Sequence, residues 1–411
     1  MEIQFLGGAD EVGRSAILVN DRLLLDYGIK SGTPSLYPVG TVEPEAVVVS
    51  HGHLDHAGAV PALLSGDRRP TVHWTPPTAE LTRVLARDTL KLHGGTLQCP
   101  FTENHVARLG EVERRHGYGE PFEAAGHEIT FFDAGHIPGS AHVLVDDGDT
   151  RLLYTADFHT DDTRLLSGST DRPFADVVIC ESTYATETRP DRDRIEEQFV
   201  ERVRSTIWEG GTVVVPAFAI GRTQELLAVC AAHGIDCYVD GMGQEVTRLL
   251  AAYPGYLRDP ALFGRARSNA RFVRGRDGQR RRIAEKNTVI VTTSGMLTGG
   301  PAMTYVPAIR GDPTNLVALS GYQVEDTPGR QLLETGRCEL DGRIYPIAAR
   351  VERFDFSAHA DRTGLRSFLA AYEDATVVCN HGDSTDRFAA ELREEGYDAN
   401  APELGETIAI G

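Results

Sequence analysis

Lysine is almost absent: Lys30, Lys91 and Lys286 are the only three in a combined Lys and Arg count of 41, so arginine carries nearly all the positive charge. The six cysteines (Cys99, Cys180, Cys230, Cys237, Cys338 and Cys379) include no CxxC pair. That argues against both a disulfide framework and a thiolate zinc site. Most of them read as small core hydrophobes, so any bound metal falls to His and Asp. No apolar run reaches the roughly 18 residues of a membrane span, and Met1–Leu6 lacks the basic start of a secretory signal. The expected setting is cytoplasmic, with no membrane partner. Neither GxGxxG nor GK[ST] occurs. The glycine-rich stretch Gly7–Arg14 is therefore read as a plain turn, although a phosphate loop is conceivable there. Internal repeats, low-complexity segments and long linkers are also missing.

What is abundant is acid. The net charge is −19 over 411 residues, enough chain for two or three cores. Such a charge normally argues against a nucleic-acid partner. Here the acids are dispersed along the whole chain and lysine is scarce, which suggests a salt-adapted cytoplasm such as that of a halophilic archaeon. On that reading global charge reports habitat, and partners must be sought in local patches.

The densest chemistry lies in His51-Gly52-His53-Leu54-Asp55-His56. It follows the apolar run Ala46–Ser50, read as a buried strand that ends at the first histidine. Neutral nitrogens and a carboxylate in one loop suit borderline-soft divalent ions, above all zinc. Three more ligand types stand just past predicted strands: His136 after Glu128–Asp133, Asp157 after Arg151–Thr155, and His381 after Thr376–Cys379. These seven residues make two four-coordinate sites. One takes His51, His53, His136 and Asp157; the other takes Asp55, His56, His381 and the second oxygen of Asp157. Two ions sharing a carboxylate and a solvent ligand point to hydrolysis. Asp26, ending Leu23-Leu24-Leu25, is a candidate hydrogen-bond acceptor for a ligating imidazole.

Along the chain, Ala57–Leu64 reads as a short helix, Pro76–Leu92 as a longer one and Asn104–His116 as a third. Near residue 185 the character changes to polar, proline-bearing sequence. Strands and helices then alternate, from helix 194–209 through strands Thr212–Val215, Cys237–Val239, Val289–Thr292 and Leu316–Leu319. That alternation predicts a separate parallel α/β domain. The histidine-bearing style returns near Ile347. The expected organisation is an α/β protein with one metal domain, residues 1–185 and 347–411, split by an inserted domain, residues 186–346.

The loop HxHxDH, with His136, the Ala-Asp of Asp157 and the earlier Asp26, resembles the motifs of the metallo-β-lactamase fold. The insertion resembles the β-CASP module of RNA- and DNA-processing nucleases. Its first motif matches Glu181 in Glu-Ser-Thr-Tyr, its second His359 in Phe-Ser-Ala-His-Ala-Asp, and its third His381 in Asn-His-Gly-Asp. Pro216–Leu226, Thr293–Leu297 and Gly321-Tyr322-Gln323 are similar to that module as well. Histidine at the second motif is associated with RNA-directed members. The whole pattern resembles the nuclease subunit of the cleavage and polyadenylation specificity factor and its shorter archaeal counterparts without KH domains. Ribonuclease J is a neighbouring family.

The resemblance implies an αββα sandwich with an inserted parallel α/β β-CASP domain and two zinc ions per chain. It also implies a ribonuclease, endonucleolytic or 5′–3′ exonucleolytic or both, acting on single-stranded RNA, as a homodimer or within an RNA-processing complex. Asp55, Glu181 and His359 are the implied catalytic residues. His359 acts as general acid on the leaving oxygen, Glu181 pairs with it, and a metal-activated water is the nucleophile. For RNA contact the candidates are Arg222, Ser294 and Gly295, with Arg280, Arg281 and Arg282 from a basic run that also holds Arg265, Arg267, Arg271, Arg274, Arg276 and Lys286. Two other classes stay open: a small-molecule hydrolase of lactonase or thioesterase type, and a non-catalytic RNA-processing scaffold.

Overall fold

The structure is a computed structural model that describes residues 1–32, 34–96, 98–275, 277–340 and 342–410. It separates into two compact units, one of Met1–Asp161, Gly168–Thr188 and His359–Gly411, the other of Asp162–Ser167 and Arg189–Ala358.

The first unit is built on two seven-stranded sheets. One runs Thr407–Ala409, Glu2–Gly7, Ala16–Val19, Leu23–Leu25, Ala46–Val48, Thr71–Trp74 and Glu113–Arg115 from edge to edge. The other runs Asp398–Asn400, Thr376–Asn380, Val177–Glu181, Arg151–Tyr154, Ala141–Asp146, His127–Asp133 and Phe122–Ala124. Side chains alternate across a strand. Phe5, Ile17, Leu25 and Val48 from the first sheet therefore meet Phe131, Val143, Leu152 and Ile179 from the second in one shared core. Their neighbours face outward onto helices: Val47 and Val49 pack with Ala57, Leu64 and Ala79, while Leu153, Val178 and Val377 pack with Leu365, Phe368 and Leu392. Burial on both faces explains why the central strands read as continuous apolar runs. The layers follow the αββα order.

Two local expectations change. The helix expected at Ala57–Leu64 begins earlier, as Leu54–Ala57, and is followed by a separate 3₁₀ turn, Val60–Leu64. Asp55 and His56 thus sit on the first helical turn after the loop. The stretch expected as helix Asn104–His116 is helical only over Glu103–Val112; Glu113–Arg115 is an edge strand paired with Thr71–Trp74. Its charged sequence hides the strand, and Glu113 there binds Arg83 and Arg115.

The second unit has a six-stranded sheet in the order Ala270–Phe272, Cys237–Asp240, Val289–Thr292, Val213–Pro216, Leu316–Leu319 and Arg350–Arg353, with every pairing parallel. One face buries Val213, Val215 and Val291 with Phe199 and Leu227; the other buries Val214, Ile290 and Val317 with Tyr305 and Val306. The sheet was expected to close at Leu316–Leu319, with the metal domain resuming at 347. Instead Arg350–Arg353 adds a sixth strand, and Phe354 and Phe356 join this unit's core. An edge strand needs no apolar run, which is why Arg-Val-Glu-Arg gives no strand signal.

A buried histidine adds to the acid sensitivity of the first unit. His142 donates from Nδ1 to the Thr155 carbonyl (2.8 Å) and meets Ser169 Oγ at Nε2 (2.7 Å). Burial pushes its pKa down to about 4, partly offset by the Thr155 bond. The unfolded imidazole takes up its proton near pH 6.5 and the folded one only near pH 4. Stability is therefore full above pH 6.5 and falls as pH drops towards 4, by about 3 kcal/mol from this residue. His142→Asn should remove that share of the slope: urea unfolding at pH 7.5 and 5 will show a smaller acid loss in the variant than in the parent.

Candidate metal centre and acid–base pair

All seven sequence-predicted ligands converge at strand ends of the first unit. Ligand atoms of His51, His53, His136 and Asp157 lie within 4.8 Å of one another, as do those of Asp55, His56, Asp157 and His381. Asp157 belongs to both groups and divides its oxygens between them. Oδ2 stands 3.6 Å from His51 Nε2 and 3.7 Å from His136 Nε2; Oδ1 stands 3.4 Å from His56 Nε2 and 3.2 Å from His381 Nδ1. His53 Nδ1 faces His136 Nε2 at 3.0 Å, and His381 Nε2 lies 3.6 Å from Asp55 Oδ2.

The backbone turns sharply to deliver these groups. Asp26 (φ 59°), Ala156 (φ 48°) and His381 (φ 49°) all take left-handed conformations at strand exits. Non-glycine residues pay for that conformation, and it concentrates at functional sites. Gly28 backs the helical turn so closely that a Cβ there would sit 1.7 Å from the Asp55 carbonyl oxygen.

The imidazoles are oriented from behind. Asp26 Oδ2 accepts from His56 Nδ1 (2.7 Å), Ser50 Oγ (2.7 Å) and Tyr154 Oη (2.8 Å), while Oδ1 accepts from the Ser50 amide (2.7 Å). Ser15 Oγ in turn donates to Tyr154 Oη, at 2.9 Å. Because Ser50 Oγ gives its proton to Asp26, it accepts from His51 Nδ1 at 3.1 Å. Both rings therefore keep Nε2 as the lone-pair nitrogen aimed at Asp157.

These residues fit a cation. His51 Nε2, His56 Nε2 and Asp157 Oδ1 are buried and have no hydrogen-bond partner among the described residues. Buried acceptors left so are costly; a divalent ion in the first group would satisfy His51, and one in the second would satisfy His56 and Asp157 Oδ1. The electrostatics agree. Burial holds His51 well below the ordinary imidazole range, with His56 adding to it, and burial lowers His53 too. Burial works to raise Asp157, but His381, His56 and His359 hold it well below the carboxylate range. Asp55 is held low against its own burial by the His381 hydrogen bond. His56 and His381 are raised despite burial, chiefly by Asp157. A bound cation would take the place of those two protons.

Beside this centre stands a second constellation. His359 Nδ1 lies 3.2 Å from both Glu181 oxygens and 4.0 Å from Asp157 Oδ2. Glu181 Oε1 also accepts the Phe158 amide at 3.0 Å, and its own amide donates to Thr155 Oγ1 at 3.1 Å. The His359 carbonyl accepts from His159 Nδ1, 3.0 Å away. Asp157, Glu181 and His359 are themselves spaced closely enough for a metal. With Glu181 already holding His359 Nδ1 and a backbone amide, the geometry suits an oriented imidazole better.

In the second unit, Arg222 donates to the Ser320 carbonyl. Ser294 Oγ accepts from the Thr298 amide (2.9 Å), and Gly295 packs against Ala217 and Phe218. These loops leave the carboxyl ends of neighbouring parallel strands, where open α/β sheets bind ligands. Arg280 is turned inward: it binds the buried Asp240 at 2.8 Å, which also accepts from Tyr305 Oη at 2.9 Å. That pairing makes Arg280 a structural arginine and not a free phosphate contact. Arg281 and Arg282 are exposed, and Arg276 lies outside the described residues.

Several site residues escaped the sequence reading. Ser50, Tyr154 and Ser15 form the support behind Asp26; only their places at strand ends or inside the alternation hint at it. Thr183, within Glu-Ser-Thr-Tyr, places Oγ1 3.2 Å from His381 Nδ1 and donates to its carbonyl. The Gly7–Arg14 turn, expected to be plain, walls the second ligand group: the Gly8 carbonyl accepts the His381 amide (2.7 Å), and the Gly13 amide reaches His381 Nε2 (3.4 Å). Asp26→Ala should weaken metal affinity about 10–100-fold without unfolding the protein. Competition with a chromogenic chelator measures it, with circular dichroism as the fold control; unchanged affinity would remove Asp26 from the site.

Three family descriptions match the chain: the metallo-beta-lactamase superfamily over residues 9–195, the Beta-Casp domain over 224–332, and the Zn-dependent metallo-hydrolase RNA specificity domain over 344–402. Among curated relatives, RNase aCSPSF2 of Saccharolobus solfataricus is 35% identical, the match covering 99% of this chain and 85% of the relative. Probable RNase MJ4 of Methanocaldococcus jannaschii is 33% identical with 100% of both chains covered. Transcription termination factor FttA of Methanothermobacter thermautotrophicus is 32% identical, over 92% of this chain and 66% of that protein. Among solved structures, a protein of unknown function from Enterococcus faecalis V583 superposes over 100% of this chain and 99% of its own, with a TM-score of 0.63 at 12% identity, a likeness of fold. No helix among the described residues is long and apolar enough to cross a membrane.

Proposed function

The chain belongs to the β-CASP metallo-hydrolases of the metallo-β-lactamase superfamily, and from that premise we propose that it is a zinc-dependent ribonuclease hydrolysing phosphodiester bonds in single-stranded RNA. The observation that carries the proposal is Asp157: its two oxygens serve two ligand groups, and Oδ2 also stands 4.0 Å from the His359 ring. Zinc held by His51, His53, His136 and Asp157, and by Asp55, His56, His381 and Asp157, would supply a deprotonated water at neutral pH and polarise a phosphoryl oxygen.

The chain's own residues do the rest. Asp26 and Ser50 fix the His56 and His51 tautomers. Glu181 holds His359 Nδ1 at 3.2 Å, so Nε2 is the nitrogen that hands a proton to the leaving 3′ oxygen. Glu181 is itself fixed by the Phe158 amide, which keeps the imidazole from turning away. The names of the relatives, two ribonucleases and a transcription termination factor, favour RNA over a small-molecule ester. A lactonase or thioesterase has no need of the Glu181–His359 pair.

The test is cleavage by the zinc-loaded protein of one RNA sequence in linear 5′-phosphate, linear 5′-hydroxyl and circular forms. It is run at high salt because an acidic, lysine-poor protein of a salt-adapted cell folds there. Cutting of the circle marks an endonuclease; loss of the linear forms alone marks attack from an end, and a difference between the 5′-phosphate and 5′-hydroxyl forms marks the 5′ end. No cleavage of any form, with zinc bound, overturns the proposal.

A further inference from the structure

A groove of about 720 Å³ opens in the second unit at the amino-terminal ends of strands Cys237–Asp240 and Val289–Thr292. Ser294 and Gly295 follow the opposite, carboxyl end of the latter, a strand length of about 13 Å away. Trp208, Tyr238, Arg204, Arg271 and Lys286 line the groove. Trp208 ends the helix Arg192–Trp208 and is 87% exposed, an outlay of bare indole surface that the fold itself does not use. The Tyr238 ring carries Arg271 at 5.7 Å and Lys286 at 5.9 Å from its centroid. Arg204 is tied to the rim through the His233 carbonyl at 3.0 Å.

The charge on this surface favours anions. Arg271 meets Asp236 at 3.2 Å, but both side chains are more than half exposed (61% and 68%). Such a pair is worth little in water and exchanges readily for a phosphate. The cations Arg271 and Lys286 belong to the one strongly basic run of a chain of net charge −19, and Arg265, Arg267, Arg274, Arg281 and Arg282 of the same run are exposed as well. On the far side of Trp208 the surface turns acidic with Glu197 and Glu201, which confines an anionic ligand to the Tyr238 side.

Aromatic faces interleaved with arginine and lysine are how proteins hold single strands: bases stack and phosphates pair, with little sequence preference. We infer that this groove is a second binding site for single-stranded RNA, stacking bases on Trp208 and Tyr238 and pairing phosphates with Arg271 and Lys286. The inference rests on RNA being the substrate. Its role is to retain a strand that is cut elsewhere, so it affects long substrates and spares short ones.

The two tryptophans give a direct readout, because Trp74 is fully buried and Trp208 exposed. Titrating the intact zinc-loaded protein with an uncleavable phosphorothioate uridine oligomer of about twelve nucleotides should quench its emission saturably. Trp208→Phe should abolish most of that quenching. Trp208→Ala and the double variant Arg271→Ala, Lys286→Ala should each weaken binding at least about fivefold and raise KM for a long RNA alike. They should leave kcat, and cleavage of an RNA of about five nucleotides, unchanged. Emission that ignores the oligomer, or equal affinity in parent and variants, overturns the inference; that is also the result expected if a protein occupies the groove. Quenching without cleavage of any RNA would sink the nuclease reading and leave the groove standing, whereas cleavage without quenching does the reverse.

Discussion

His359→Ala lowers RNA cleavage by about 10²–10⁴-fold while two zinc ions remain bound. The expectation follows from where the ring stands. It is outside both ligand groups, its Nδ1 is engaged by Glu181 at 3.2 Å, and it lies against the carboxylate the two groups share. On the proposed mechanism, removing it deletes the proton donor to the leaving oxygen and leaves the metal ligands in place. An RNA analogue with sulfur as the 3′ leaving atom needs little protonation, so the variant should recover much of the lost rate on it. Metal content comes from elemental analysis and the rate from single-turnover cleavage. Full activity with normal metal content would remove His359 from the chemistry. Loss of zinc in the variant would make it a ligand instead.

Asp157→Ala should have a still larger effect, because it strikes both ligand groups at once. Each group has four members, and Asp157 is the one they share. Truncation leaves His51, His53 and His136 on one side and Asp55, His56 and His381 on the other, with the buried charge that balanced them gone. Both ions should be lost at micromolar free zinc, and cleavage should fall by more than about 10³-fold. The same variant deprives the folded protein of a buried carboxylate that His381, His56 and His359 hold ionised. Its loss leaves His56 and His381, which Asp157 raises, without their buried counter-charge and so costs stability as well; circular dichroism separates loss of metal from loss of fold. A variant that keeps two ions would contradict the division of Asp157 between the groups.

Much of this site was legible because its ligands are short-range features. A strand of apolar residues ending in a histidine or an aspartate is visible at Val49 to His51, at Tyr154 to Asp157 and at Cys379 to His381. Convergence could be argued from ligand number alone, since seven donors fill two four-coordinate sites. Glu181 and His359 carried no such signal; one ends an ordinary buried strand, the other precedes an ordinary helix, and a family resemblance was needed to single them out. Ser15, Ser50 and Tyr154 stayed hidden because a hydroxyl that orients a carboxylate looks like any other hydroxyl in sequence. The role of Gly7–Arg14 was missed for another reason: its contacts with His381 span more than 360 residues, and only the pairing of both sheets brings them together.

The same logic explains the fold. Strands buried on both faces, such as Val177–Glu181 and Val213–Pro216, announce themselves by composition. Edge strands do not. Glu113–Arg115 and Arg350–Arg353 are mostly charged, because an exposed edge tolerates charge and is protected by it. The second unit consequently runs to Ala358, past the residue at which composition alone suggested an end. Arg280 shows the opposite failure. It lies in a run of arginines that reads as a nucleic-acid patch, yet its guanidinium is spent on Asp240. Sequence counts charges, and only packing says which of them are still available.

The most direct test is the chemistry of the ends left by the cut. Attack by water on phosphorus, with His359 protonating the leaving 3′ oxygen, leaves a 5′-phosphate on one product and a 3′-hydroxyl on the other. Mass spectrometry of fragments from a defined RNA cut by the zinc-loaded protein reads this in one experiment. The account predicts 5′-phosphate and 3′-hydroxyl ends; 2′,3′-cyclic phosphate and 5′-hydroxyl ends would contradict it.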